Sequence, residues 1–270
     1  MPTPTQSASA STFSNAQGAA SPQRSDSTGN DRERGSGSPA LLVSVRDARE
    51  AKLALASGVD WIDLKNPAAG ALGAPSVENL RDVGNVLRNH PYRSVALGEL
   101  ADWSNAKQTL APSVMNAGFP VAKFGLAGMA SRGQLRGALV AASEDLGPTV
   151  DLVPVIYGDY AQCDAPAPDA VLDSALAIDS SYVLIDTHEK NGKSLLDWMT
   201  VSDVERIVHR ASKAGVKTVV AGSIRLEHLS DLIHAGAFAI GIRGAVCSGD
   251  RADGMCSEKL AEWTQRFGSA

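Results

Sequence analysis

Two ionisable residues lie in a stretch that otherwise has the character of a buried strand. In GVDWIDLKNPAAGALGA, residues 58–74, Asp63 and Lys65 alternate with Ile62 and Leu64. Successive side chains of a strand point to opposite faces, so both charged groups face the same way, together with Trp61. Removing a carboxylate and an ammonium from water costs several kcal/mol each unless they are paired. The pattern therefore predicts either a structural ion pair or a working site.

A second lysine, Lys123, lies in the apolar run VAKFGL and indicates which chemistry that site would perform. A neighbouring cation and desolvation both lower the pKa of a lysine such as Lys65. The neutral amine can then form a Schiff base with a carbonyl substrate, which becomes an electron sink for making or breaking carbon–carbon bonds. Asp63 or Asp186 would move the protons that such a reaction requires.

Short apolar runs alternate with longer amphipathic segments from Leu41 onward, which is typical of βα units around a parallel sheet. The predicted strands are LLVSV (41–45), WIDLK (61–65), SVALGE (94–99), VAKFGL (121–126), LVPVIY (152–157), YVLIDT (182–187), TVVAGS (218–223) and AIGIRG (239–244). Eight repeats in about 230 residues match a (β/α)8 barrel, whereas a doubly wound open sheet normally has fewer strands. We therefore predict an α/β fold, a single-domain (β/α)8 TIM barrel over residues 39–270.

The segments between the strands carry helix-like patterns, with N-caps predicted at Ser76, Ser131 and Ser202. The third helix contains Pro112 and is predicted to be broken or to begin late. A final helix is predicted over about residues 256–267.

The predicted strand ends collect ionisable residues, and in this fold the catalytic face lies at the C-terminal ends of the strands. They are Asp63, Lys65, Glu99, Lys123, Asp159, Asp186 and Arg243. Taken singly, Glu99 or Asp159 could cap the next helix, and Asp63 could simply neutralise Lys65. Taken together, the seven residues favour an active site.

Small, glycine-rich turns follow the last two predicted strands, where barrels of this kind commonly bind phosphate. Gly222 and Ser223 follow the seventh strand, and Gly244 and Ala245 follow the eighth. Their backbone N–H groups can approach an anion, and Arg243 could add positive charge. The alternative is that these are ordinary turn glycines. Their position after the seventh and eighth strands nevertheless favours a phosphorylated small-molecule substrate.

Residues 1–38 are rich in Ser, Thr, Gln, Gly and Pro, and Phe13 is their only aromatic residue. Such a segment cannot bury enough apolar area to offset the entropy of ordering, so a disordered tail is predicted. Arginines among the serines would suit a transit peptide, but Asp26, Asp31 and Glu33 argue against one.

Composition argues against several classes of partner and site. The formal net charge is −5 and no basic run is present, so no nucleic-acid partner is expected. Three cysteines without a CxxC pair favour a reducing cytoplasm over a disulfide framework. No apolar run reaches the roughly 20 residues of a membrane span, and no secretion signal is recognised. The five histidines lack metal-ligand spacing, so neither metal nor cofactor is predicted; a homo-oligomer is allowed.

Six motifs, in this order, resemble the (5-formylfuran-3-yl)methyl phosphate synthase family, also called 4-(hydroxymethyl)-2-furancarboxaldehyde-phosphate (4-HFC-P) synthase. They are LLVSV, IDLKNPAAGALGA, VAKFGLAG, LIDTHEKNGKSLLDW, VAGSI and GIRGAVCSGDR, within residues 41–265. The DxKNPxxGxLGA block combined with DTxxKxGKxLxD is the most specific part of the resemblance.

The resemblance implies a (β/α)8 lyase that condenses two glyceraldehyde 3-phosphate molecules into (5-formylfuran-3-yl)methyl phosphate, with loss of one phosphate and water. Its product would serve methanofuran-type, one-carbon cofactor biosynthesis. By the family pattern Lys65 looks like the Schiff-base lysine, with Asp63 its acid/base neighbour. Lys123 looks like a second essential amine, and Asp186 with Lys190 like further catalytic groups. Substrate phosphate is implied at the AGS and RGA turns.

Two other functions stay open. One is another class I (Schiff-base) aldolase that acts on a different sugar phosphate. The other is a non-catalytic barrel that binds a phosphorylated metabolite, which is disfavoured because unpaired buried charge without a use is costly.

Overall fold

The computed structural model of the chain describes residues 38–268. The predicted disordered tail lies outside the described residues except for Ser38, so it stays a prediction. No helix among residues 38–268 is long and apolar enough to cross a membrane.

Eight parallel strands form a closed barrel in chain order, and the eighth strand pairs with the first. They are β1 (Ala40–Val45), β2 (Trp61–Leu64), β3 (Arg93–Glu99), β4 (Val121–Gly125), β5 (Asp151–Tyr157), β6 (Tyr182–Asp186), β7 (Lys217–Val220) and β8 (Ala239–Ile242). This confirms the predicted (β/α)8 barrel. The last two strands end two or three residues before their predicted ends, so their small residues belong to the turns.

A helix follows each strand and packs outside the barrel. The helices are α1 (Ala48–Ala56), α2 (Val77–Val86), α3 (Trp103–Ala117), α4 (Leu135–Leu146), α5 (Pro168–Ala177), α6 (Val201–Lys213), α7 (Leu229–His234) and α8 (Ser257–Gly268). Pro112 lies inside α3 without ending it, so the predicted break is wrong.

The predicted N-caps are right at one helix and wrong at two. The Ser76 hydroxyl accepts from the backbone N–H of Asn79, as predicted for α2. Ser202 lies within α6 instead, because Thr200 forms a capping box with the backbone and carboxylate of Asp203. Ser131 precedes the start of α4 and donates to the Asp164 carboxylate at 2.6 Å.

The alternation along β2 separates two buried environments. Ile62 and Leu64 are fully buried in the apolar layer between the strands and the helices. Trp61 points into the barrel, where it contacts the Tyr182 ring edge-on with a centroid distance of 4.9 Å. The next residue on the same face of β2 is Asp63. Apolar side chains therefore fill the barrel up to the layer where the charged residues begin.

Candidate active site

The ten residues to which the sequence assigns catalysis or phosphate binding all line one cavity of about 250 Å³. The cavity lies at the C-terminal ends of the strands, which is the catalytic face of (β/α)8 enzymes. Those residues are Asp63, Lys65, Lys123, Asp186, Lys190, Gly222, Ser223, Arg243, Gly244 and Ala245.

Asp63 is paired with Lys123 on β4, not with Lys65 on its own strand. The Lys123 Nζ lies 2.6 Å from Asp63 Oδ1, and both residues are buried. Ser94 donates to the same oxygen at 2.8 Å, and Ser44 donates to the other at 3.1 Å. The alternative in which Asp63 neutralises Lys65 directly is therefore wrong. Asp63 and Lys123 form a buried, hydrogen-bonded ion pair close enough to Lys65 for Asp63 to affect the pKa of Lys65.

Lys65 is 7% exposed, and its pKa is lowered to about 7 from the ordinary value of 10.5. Desolvation by burial is the main cause. The carboxylates of Asp186 and Asp63 act in the opposite direction, whereas Lys190 and Arg251 lower the pKa further. Within residues 38–268 no carboxylate oxygen lies within 4.0 Å of the Lys65 Nζ. A substantial fraction of Lys65 is therefore an uncharged amine near neutral pH.

Asp186 and Lys190 form a second acid/base pair at the end of β6. Lys190 Nζ lies 2.8 Å from Asp186 Oδ1 and 3.0 Å from the Thr187 hydroxyl oxygen. The Thr187 backbone N–H donates to the same Asp186 oxygen at 2.7 Å. Burial pushes the pKa of Asp186 up, but attraction to Lys190 and Lys65 and these hydrogen bonds bring it below its ordinary value. Asp186 is therefore ionised beside the lysine that is partly neutral.

The turns after β7 and β8 have backbone conformations that suit close approach by a ligand. Gly222 has φ +107°, and a Cβ there would lie 3.0 Å from the Cβ of Leu195. Ser223 follows with φ +52°, in the left-handed region. Gly244 and Ala245 belong to the short 3-10 turn after β8. These backbone amides are the groups predicted to hold a phosphate.

Arg243, predicted to add charge at the phosphate turns, has its guanidinium engaged elsewhere. It forms a buried ion pair with Glu50 on α1, through both terminal nitrogens. Its remaining N–H groups donate to the backbone carbonyls of Ser44, Arg251 and Asp253. All five donors of an arginine are thereby used. Arg243 fixes the loop after β8 and has no N–H left for a substrate.

Two other predicted strand-end carboxylates hold loops and do not line the cavity. Asp159 accepts the backbone N–H groups of His188 and Glu189 at 2.8 and 2.7 Å. Glu99 accepts the Tyr157 hydroxyl at 2.7 Å, and burial raises the pKa of Glu99. The ring of seven charges therefore divides into residues that face the cavity and residues that position the loops around it.

Sequence reasoning missed the side chains that orient the charged groups. Ser44 and Ser94 hold Asp63, and Thr187 holds Lys190. Arg251 lines the cavity from the loop after β8. These residues share no position: Ser44 is near the end of β1, Ser94 near the start of β3 and Thr187 just after β6, so the sequence offered no specific signal for them. No group of three or more His, Cys, Asp or Glu residues placed to hold a metal occurs in the described part of the chain.

Known proteins resemble this chain over most of its length. The family model described as 4-HFC-P synthase matches residues 41–264. The (5-formylfuran-3-yl)methyl phosphate synthase of Methanosarcina acetivorans is 31% identical over 214 residues, 78% of this chain and 92% of the relative. The protein of the same name from Methanocaldococcus jannaschii is 31% identical over 82% and 96% of the two chains. A solved phosphoribosyl anthranilate isomerase from Thermus thermophilus, 15% identical, covers 85% of this chain and 98% of its own with a TM-score of 0.55, a likeness of fold alone.

Proposed function

The chain belongs to the 4-HFC-P synthase family, and we propose that it condenses two molecules of glyceraldehyde 3-phosphate into (5-formylfuran-3-yl)methyl phosphate. One phosphate and water are lost, which makes the reaction that of a carbon–oxygen lyase acting on phosphates. The product would supply the furan of a methanofuran-like one-carbon carrier. The observation that carries the proposal is Lys65, a buried lysine with a pKa of about 7 in a cavity of strand-end charges.

The first step assigned to this site is imine formation. The Nζ of Lys65 attacks the carbonyl carbon of one triose phosphate while the amine is neutral, and water leaves as the Schiff base forms. The protonated imine then withdraws electrons from the adjacent carbon, so that a proton can leave and a bond to the second triose carbonyl can form. Asp186, ionised and near Lys65, stabilises the positive charge that develops on the imine nitrogen.

Two acid/base pairs flank this lysine and suit the proton transfers that follow. The Asp63 and Lys123 pair connects β2 with β4, and the Asp186 and Lys190 pair connects the end of β6 with the loop that follows it. Each pair holds a carboxylate that can accept a proton and an ammonium that can give one to a departing hydroxyl. Condensation to a furan requires several such transfers, so two pairs within one cavity fit the chemistry better than a single general base.

Borohydride trapping tests the proposal directly. Incubation of the protein with glyceraldehyde 3-phosphate and borohydride is expected to add a reduced triose adduct at Lys65, located by peptide mass. Without borohydride, the furan aldehyde is expected to appear by its ultraviolet absorbance and its mass. Lys65→Arg keeps the positive charge and removes the nucleophile, so it should abolish both signals. Lys52→Arg, an exposed position on α1, is the matched control.

A Lys65→Arg variant that still makes the furan would overturn the assignment of the imine. A wild-type protein that forms the Lys65 adduct but yields an aldol product without the furan absorbance would support the other class I aldolase instead. A purified protein that gives neither adduct nor product would contradict both catalytic assignments.

A further inference from the structure

Every basic side chain that lines the cavity has a carboxylate partner except Lys65 and Arg251, within the described residues 38–268. The paired residues are Lys123 with Asp63, Lys190 with Asp186, Arg243 with Glu50, and Arg225 with Glu227. Lys65 is accounted for by imine chemistry. Arg251 therefore carries a positive charge at the cavity with no carboxylate oxygen within 4.0 Å among the described residues, and Asp186 acts on it only from a longer distance.

The guanidinium of Arg251 is held in place but not saturated. Nη1 donates to the Pro67 carbonyl at 2.9 Å, and Nη2 donates to the Gly70 carbonyl at 3.2 Å. The Arg251 backbone carbonyl accepts from Arg243 Nε at 2.9 Å, which fixes the start of the side chain. An arginine has five N–H donors. Three of these N–H groups donate to no described residue, although hydrogen bonds hold both the backbone carbonyl and the guanidinium of Arg251.

The position of Arg251 differs from that of the backbone turns. A Cβ built on Gly244 would lie 3.6 Å from the Arg251 Cβ, so the side chain starts beside the turn after β8. It then extends to the segment Pro67–Ala69, which follows β2 and Lys65. Its charge lies close enough to Lys65 to lower the pKa of that lysine, and it interacts with the Asp186 carboxylate. The guanidinium therefore lies on the β2 side of the cavity.

We propose that Arg251 binds a substrate phosphoryl group on the β2 side of the cavity, at a position separate from the backbone turns after β7 and β8. This rests on the proposed function, in which two phosphorylated trioses occupy the cavity in one reaction cycle. The turns supply backbone amides for one phosphoryl group, and the guanidinium supplies charge and paired N–H groups for the other. A planar guanidinium matches two phosphate oxygens at once, which a lysine ammonium does not.

Binding of inorganic phosphate to the full-length protein tests the inference without any reaction. Equilibrium dialysis with radiolabelled phosphate is expected to give two bound phosphates per wild-type chain and one in Arg251→Gln. Arg251→Lys should keep the second position with affinity roughly 10- to 100-fold weaker, the effect of losing charge-assisted hydrogen bonds. Arg81→Gln makes the same charge change at an exposed position of α2, where Arg81 pairs with Asp82, and should bind phosphate as the wild type does.

In Arg251→Gln the half-saturating concentration of glyceraldehyde 3-phosphate in the furan assay should rise roughly 10- to 100-fold, the factor by which the loss of charge-assisted hydrogen bonds weakens phosphate binding. Equal phosphate stoichiometry in wild type and Arg251→Gln overturns the inference, because a merely structural arginine would change stability or turnover and leave the stoichiometry unaltered. If Arg251→Gln does not fold, Arg251→Lys is measured in its place, and an affinity of its second phosphate site equal to that of the wild type overturns the inference. Loss of one phosphate site in a protein that makes no furan would support the phosphate site and contradict the proposed reaction.

Discussion

Replacing Lys65 with methionine should stabilise the protein while it abolishes imine formation. Lys65 is 7% exposed and its pKa is lowered to about 7, mainly by desolvation. Below pH 7 the lysine is charged in both states. In the folded protein the charge lies in a buried site that disfavours it, whereas in the unfolded chain it is in water. Methionine has a similar length and no charge, so it removes the unfavourable contribution.

The size of the effect follows from the two pKa values and has a definite pH dependence. The difference between the folded pKa of about 7 and the unfolded pKa of 10.5 lowers the free energy of unfolding by about 5 kcal/mol where Lys65 is fully protonated in both states. Between these values the unfolded chain binds more protons than the folded one, so the stability of the wild type rises with pH. The advantage of Lys65→Met should be about 5 kcal/mol at pH 6, about 3 kcal/mol at pH 8 and below about 1 kcal/mol at pH 10.

Urea unfolding at pH 6, 8 and 10 measures this difference, with circular dichroism as the signal. Lys52→Met, at an exposed position on α1, is the matched control and should show no comparable trend with pH. A Lys65→Met variant that is less stable than wild type at pH 6, or whose advantage does not shrink toward pH 10, would show that Lys65 is charged and well compensated. The proposed nucleophile would then lose its physical basis.

Three further outcomes follow from the same structure. The yield of borohydride adduct on Lys65 should rise as pH increases through about 7, because more of the amine is neutral. Mass spectrometry at a fixed substrate concentration measures it. Glu50→Gln breaks the buried pair with Arg243 and should cost about 3–5 kcal/mol, seen as a lower melting temperature, together with weaker phosphate binding. Gly125→Ala places a Cβ against the Tyr157 hydroxyl and the Glu99 carboxylate. It should lower the free energy of unfolding in urea by about 1–3 kcal/mol. Unchanged stability would show that these two side chains can move away from the Cβ without cost.

The barrel was predictable from the sequence because short apolar runs mark the buried parallel strands and regular amphipathic segments between them mark the helices. The strand-end rule of the fold then places Asp63, Lys65 and Asp186 at one cavity without any knowledge of pairing. Helix starts were less predictable, since Thr200 and Ser202 are both acceptable N-caps. The choice between them depends on the capping box with Asp203, which is a matter of three-dimensional geometry.

The pairing of charges was not predictable, because it depends on which strands bring their side chains to the same level. Asp63 and Lys65 are close in sequence, yet Lys123 reaches Asp63 from two strands away. Arg243 is matched by Glu50, a helix residue that no strand pattern would select. Arg251 lies in an irregular loop, and periodicity gives no information about such residues.

The distribution of paired and unpaired charge would let an acidic protein attract the phosphorylated trioses of the proposed reaction. The chain carries a formal charge of −5, so its overall field repels such substrates. Within the cavity the carboxylates are already bound to basic partners, and among the described residues Lys65 and Arg251 are left with none. Low-dielectric walls make a local cation more effective there than on the surface. Since the Lys65 amine must be neutral to react, a fixed guanidinium nearby both favours the substrate phosphate and disfavours protonation of the nucleophile. One residue, Arg251, would therefore serve substrate binding and the reactivity of the imine-forming lysine through the same charge.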